Sequence, residues 1–124
     1  MKTVIATDKA PAAIGPYSQA IEVNGMVFTS GQLPVDPATG QIPEGVAAQA
    51  EQAFKNIGEV LAAAGTTMDK VIKTTVFIKN MGDFAAINEV YAKHFPSPYP
   101  GRSCVEVARL PKDALLEIEA IAMK

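Results

Sequence analysis

Arg102 and Glu117 are the residues of this chain best placed to do chemistry. Arg102, Cys104 and Glu106 alternate with Ser103, Val105 and Val107. After a short turn, Glu117, Glu119 and Ile121 alternate with Leu116, Ile118 and Ala120. A strand sends alternate side chains to opposite faces. The pattern predicts two strands with Arg102 and Glu117 on one sheet face and a packed core on the other. The planar guanidinium of Arg102 matches a carboxylate bidentately and keeps its charge at any relevant pH. A partly desolvated Glu117 holds or delivers a proton near neutrality. The same residues also suit a purely structural role. Arg102 can pair with Glu117 or Glu106, and Glu117 and Glu119 can pair across strands with Arg102, Arg109 or a lysine. Spacing alone leaves both readings open.

Cys104 shares the face of Arg102, and a guanidinium lowers a thiol pKa. His94 is the one histidine available as its base. The competing reading is a small buried hydrophobe. Tyr17 follows Gly15-Pro16 and either offers its phenol to a ligand or packs in the core. Ser30-Gly31 closes a strand, where glycine lets a ligand approach the backbone or simply turns the chain. Asn88 falls beside Ile87 on a helix and reads by itself as solvated.

These residues need elements to hold them. Tyr17 to Val23 and Met26 to Ser30 are rich in strand formers and flank Asn24-Gly25, a strong hairpin signal. Asp36 to Gly40 is a loop. From Gly45 to Ala64, apolar residues at Val46, Ala50, Ala53, Phe54, Ile57, Val60 and Leu61 fall at helical spacing. Glu51 and Lys55 add an i,i+4 pair, and Gly65 suits a helix C-terminus. Val71 to Lys79 is a β-branched strand. Asp83 is placed to cap a second helix with Phe84, Ile87, Val90, Tyr91 and Phe95 inward. Pro96, Pro98 and Pro100 form a stiff loop leading to Arg102. The order β-β-α-β-α-β-β, with a short strand near Thr3 to Ala6, predicts one α+β domain over 1–124. Its sheet carries two helices on one face.

Both alternating sets within Leu115 to Met123 contain aliphatics, yet two helices cover only one sheet face. An apolar second face predicts an interface and hence a homo-oligomer of cyclic symmetry. The 124 residues carry a formal net charge of -2 without a basic block, which argues against nucleic acid. No apolar run approaches the roughly 20 residues of a membrane span. The N-terminus has no secretory h-region, and a single cysteine suits a reducing cytoplasm. One histidine and one cysteine argue against a zinc site.

The chain resembles the RidA (reactive intermediate deaminase) subgroup of the YjgF-type family over essentially its whole length. The marks are APAAIGPYSQA at 10–20, TSGQLPVDPATG at 29–40, KTTVFIKNMGDFAAIN at 73–88 and PGRSCVEVARLPKDALLEIEAIA at 100–122. It departs at Gly101, where relatives more often carry Ala. The resemblance implies a chorismate-mutase-like α+β fold, with a mostly antiparallel sheet, assembled as a homotrimer with clefts between subunits. It implies hydrolysis of reactive 2-enamino or 2-imino acids to 2-oxo acids and ammonia, without cofactor or metal. By matching position, it gives Arg102 the substrate carboxylate and Glu117 the attacking water. Tyr17, Ser30, Gly31, Asn88 and Cys104 line the cleft. The competing function is a non-catalytic module that binds 2-oxo acids or takes part in regulation. Such a module needs Arg102 but gains nothing from Glu117.

Overall fold

A computed structural model describes residues 1–124. The sheet is built from β1 (Thr3–Ile5), β2 (Ala20–Val23), β3 (Met26–Thr29), β4 (Val71–Ile78), β5 (Gly101–Glu106) and β6 (Leu116–Met123). The helices are α1 (Val46–Ala63) and α2 (Phe84–His94). In space the strands run β1-β2-β3-β6-β4-β5. All neighbours are antiparallel except β4 and β5, which are parallel and joined through α2. The expected mostly antiparallel α+β sheet is therefore present, including the short first strand.

Local chemistry explains the turns. Asn24 and Gly25 have φ of 51° and 74° and make the two-residue hairpin between β2 and β3. That twist matches the flanking strands, and only residues tolerant of positive φ provide it. Gly65 ends α1 with φ of 83°, and Thr66 N–H returns to the Leu61 carbonyl at 3.0 Å. Asp83 behaves otherwise than expected. It ends a 3₁₀ turn over Met81–Asp83 in helical conformation and makes no side-chain cap hydrogen bond. Glu51 does not pair with Lys55. It reaches across to α2, with His94 Nε2 at 3.2 Å and Lys93 Nζ at 4.0 Å.

The core lies between the helices and one sheet face. Phe54, Ile57, Val60 and Leu61 of α1 are fully buried. They join Val76 and Ile78 of β4 and Leu116, Ile118 and Ala122 of β6 in one apolar cluster. Phe54 meets Tyr91 and Phe95 edge-on, with ring centroids 5.7 and 5.9 Å apart. Burying such side chains contributes about 1.5–3 kcal/mol each.

The opposite face carries Phe28, Thr75, Phe77, Val105, Glu117, Glu119 and Ile121, and no helix covers it. Phe28 and Val105 remain 39% and 45% exposed. This is the two-sided apolar sheet that the alternation in the sequence anticipates.

Candidate functional site

Three of the expected site residues gather at the start of β5. Thr74 of β4 is opposite Arg102, and Val76 is opposite Cys104. Arg102 and Cys104 therefore point to the helix side of the sheet. Phe84, Asn88 and Tyr91 follow helical i, i+4, i+7 spacing along α2 and form a shelf for the guanidinium. Arg102 Nη1 donates to Asn88 Oδ1 at 2.7 Å. The guanidinium carbon lies 4.8 Å from the Tyr91 ring centroid and 5.3 Å from that of Phe84. Asn88, read alone as solvated, is thus a direct partner of Arg102.

Arg102 has no carboxylate partner. The ion pairs of the chain are Lys93–Glu51, His94–Glu51, Arg109–Asp113 and Lys124–Glu22. Glu106, one of the structural partners considered for Arg102, instead accepts the Met81 N–H at 2.7 Å. Asn88 occupies one N–H of a guanidinium that has five. A cavity of about 280 Å³ opens beside it, bounded by Asn88, Tyr91, Ala92, Tyr99, Pro100 and Arg102. Gly101 does not owe its place to crowding. A Cβ there would stand 3.6 Å from the Ile72 carbonyl, an ordinary contact.

The remaining residues gather elsewhere. Gln32 N–H donates to the Ile118 carbonyl at 2.7 Å, and Ile118 N–H returns to the Gln32 carbonyl at 3.2 Å. This clip sets Gly31 against Glu117. A Cβ on Gly31 would stand 2.6 Å from Glu117 Oε1 and 2.8 Å from its carboxyl carbon. Ser30 is locked to the preceding segment, its hydroxyl donating to the Ser18 carbonyl at 2.5 Å. Tyr17 is 49% exposed and accepts a long 3.4 Å hydrogen bond from Ile14 N–H. Tyr17, Gly31, Leu33 and Lys112 border a second cavity of about 400 Å³. Burial pushes the Glu117 carboxyl above the usual carboxylate range, and the nearby Glu119 charge pushes the same way.

Arg102 and Glu117 therefore do not share a face. β5 and β6 are not neighbours, because β4 lies between them. Glu117 is opposite Phe77 on the uncovered side, whereas Arg102 is opposite Thr74 on the helix side. Three residues along β4 and two strand spacings across separate them, about 14 Å in strand geometry. Alternation fixes the faces within one strand but not the register between two strands. Glu117 lies where the sequence places it, opposite the core face that Leu116, Ile118, Ala120 and Ala122 claim; Arg102 is the residue that turns to the unexpected, helix side.

Cys104 has no base. Burial raises its thiol pKa against the pull of Arg102, and His94 is engaged by Glu51 and packed against Phe54. Two supporting residues lay outside the sequence reading. Gln19 is buried and ties the N-terminal segment through Thr7, Ala10 and Pro11. Asn56 donates to the carbonyls of Leu33 and Val35, both at 2.9 Å, and so holds the loop that follows Gly31. Asn56 had a signal, a polar residue on the buried stripe of a helix.

The fold and these two clusters define a class: a small α+β protein with an unpaired arginine on one sheet face and a half-buried carboxyl of raised pKa on the other. The family described as endoribonuclease L-PSP matches residues 7–124. The 2-iminobutanoate/2-iminopropanoate deaminase of Escherichia coli K12 is 51% identical over 127 residues, covering 100% of this chain and 99% of that protein. Escherichia coli TdcF, solved with bound serine, superposes with a TM-score of 0.93 at 52% identity over 98% of each chain. RidA from the Antarctic bacterium Psychrobacter sp. does so with a TM-score of 0.96 at 48% identity, over 98% of this chain and 99% of that one. The chain belongs to this RidA/YjgF family.

Proposed function

We propose that the protein is a deaminase that hydrolyses reactive 2-imino and 2-enamino acids to 2-oxo acids and ammonia. The observation that carries this reading is Arg102, which has no acid partner, is clamped by Asn88 and opens onto a cavity. Full-length relatives named as 2-iminobutanoate/2-iminopropanoate deaminases support it. A relative that holds serine, which carries a carboxylate beside a nitrogen-bearing carbon, supports the carboxylate handle.

Arg102 takes the substrate carboxylate. Water adds to the electrophilic C=N carbon while Glu117 accepts its proton. The substrate reacts as its iminium, so the adduct is a neutral carbinolamine. Glu117 returns its proton to that nitrogen, then takes the proton of the new hydroxyl as the C–N bond breaks and ammonia leaves with the 2-oxo acid. The reactive carbon is already electrophilic, so no side-chain nucleophile takes part. Tyr17, Ser30 and Gly31 line the Glu117 side, and Asn88 and Cys104 the Arg102 side.

A substrate of four carbons spans far less than the distance between Arg102 and Glu117 within one chain. The cleft is therefore formed by two copies, one giving the Arg102 side and the next the Glu117 side, in a closed homotrimer. The uncovered apolar face around Phe28 and Val105 supports such packing. Sedimentation should show a trimer at micromolar concentration. A stable monomer that still turns over would remove this part of the proposal.

The deciding assay releases an imino acid in situ from an amino-acid oxidase and follows its conversion to the 2-oxo acid. Acceleration over the spontaneous rate is expected. No acceleration with several imines would leave only the 2-oxo acid binding module.

Gly31→Ala should leave the fold intact, because the clashing atoms are the flexible end of Glu117. It should cut kcat by more than about tenfold by displacing the carboxylate, since a misplacement on the order of 1 Å can cost about a hundredfold. Unchanged kcat would show that the position of the carboxyl is immaterial. Cys104→Ala should keep most of the activity. A loss as deep as that of an Arg102 variant, with assembly intact, would make Cys104 a nucleophile after all.

A further inference from the structure

We infer that Phe84 and Tyr91, the latter tied to Thr74, are positioning residues that hold the Arg102 guanidinium ready for the substrate carboxylate. The inference rests on Arg102 being the carboxylate anchor.

Arg102 extends from an edge strand, and its backbone neighbourhood alone leaves a long side chain free to rotate. Holding such a side chain still at the moment of binding costs conformational entropy and so weakens affinity. The shelf on α2 supplies that order beforehand. Two aromatic rings lie within 5.3 Å of the guanidinium carbon, and Asn88 holds Nη1 from the third side. None of the three carries a charge. An acidic residue in their place would neutralise the guanidinium and compete with the substrate. Aromatic faces and an amide oxygen attract a cation and leave its remaining N–H groups for a carboxylate.

Tyr91 is itself fixed from both ends. Its ring stacks on Phe95 at 4.3 Å and meets Phe54 at 5.7 Å. Its hydroxyl lies 2.8 Å from Thr74 Oγ1. Thr74 is opposite Arg102 in the β4–β5 ladder. The strand that fixes the Arg102 backbone therefore also fixes the ring beneath its side chain. A residue-by-residue coupling of this kind sets the guanidinium plane relative to the sheet.

Arginine that binds the carboxylate equally in ground and transition states acts chiefly on KM. Phe84→Leu keeps an apolar side chain of similar bulk but removes the ring. It should raise KM about three- to tenfold, the effect of losing one cation–π contact, with kcat nearly unchanged. Phe84→Tyr should restore KM, since it restores the ring. Thr74→Val, which unties the Tyr91 hydroxyl, should raise KM about threefold. A merely structural shelf would instead lower the melting temperature and active fraction without moving KM, and that result overturns the inference. Arg102→Ala is measured in parallel. If it leaves KM and kcat untouched, the anchor reading itself falls. If it is inactive while Phe84→Leu matches wild type, only the positioning role falls. Should Phe84→Leu not fold, the Arg102 Nε–H resonance of the wild-type protein decides the question. A rigid side chain in the absence of ligand is expected, and a freely rotating one refutes the claim.

Discussion

Arg102→Ala is expected to remove nearly all acceleration of imine hydrolysis while leaving the fold and assembly in place. The reason is the isolation of this side chain. Arg102 is exposed, forms no ion pair and contributes nothing to the apolar core. Its interactions are one hydrogen bond to Asn88 and two aromatic faces. Removing it should change stability by about 1 kcal/mol or less, in the range of surface substitutions. Its effect on the substrate is far larger. Losing one member of a desolvated charge pair costs roughly 2–5 kcal/mol, which is about 30-fold to several thousandfold in kcat/KM. Arg102→Lys should recover only part of this, because an ammonium keeps the charge without the planar fork. An alanine variant with a wild-type rate would end the proposed role of Arg102.

Glu117→Gln separates an enzyme from a binder. Glutamine has nearly the same shape, so Gly31 still accommodates it and the cleft stays open. It cannot take a proton from water. Loss of a positioned general base costs about 10²–10⁴ in rate, and the observed rate should fall to the spontaneous one. Binding of a 2-oxo acid, followed by calorimetry, should persist, because Arg102 is untouched. A protein that only binds 2-oxo acids would show no catalysis to lose and identical binding in both forms.

The pH profile gives a second test of Glu117. In the proposed mechanism, catalysis requires its ionised form. Its pKa is raised by burial and by Glu119, so activity should decline on acidification before the ordinary glutamate value of about 4.3 is reached. Glu119→Gln should shift the decline to lower pH. The same raised pKa sets the sign for stability. The folded chain favours the protonated carboxyl, so this contribution is full below the unfolded-state pKa and is lost as pH rises through the folded value. The urea midpoint of Glu117→Gln should therefore gain on wild type as pH rises through that window. A constant difference would mean that the carboxyl is not strained by its surroundings.

Much of the fold was legible because its signals are local. The Asn24-Gly25 turn, the helical stripe of α1 and Gly65 after it each need only a few neighbouring residues to be read. The uncovered sheet face was legible too, since β6 has aliphatics in both alternating sets. The candidate residues were legible one by one, but not their arrangement. Arg102 and Glu117 were read on one face because each strand alternates. Their separation depends on β4 entering between β5 and β6, and that order follows from the parallel crossover through α2. Asn88 was invisible as a partner of Arg102 for the same reason. Its role depends on how α2 lies over an edge strand, which helical spacing does not encode. Asp83 failed as a cap because a 3₁₀ turn precedes α2, so the helical path begins before it.

The placement of the two charged groups on opposite faces has a consequence for inheritance as well as chemistry. In the proposed trimer, a chain whose binding half and proton-handling half look in different directions would join its copies head to tail. Each copy would then take part in two clefts and complete neither alone. A damaged Arg102 and a damaged Glu117 would spoil different clefts of one ring. Two inactive chains, mixed before assembly, would rebuild some intact clefts where the sound arginine of one meets the sound glutamate of the other. One defective chain mixed with sound ones would likewise silence a cleft whose other half is perfect.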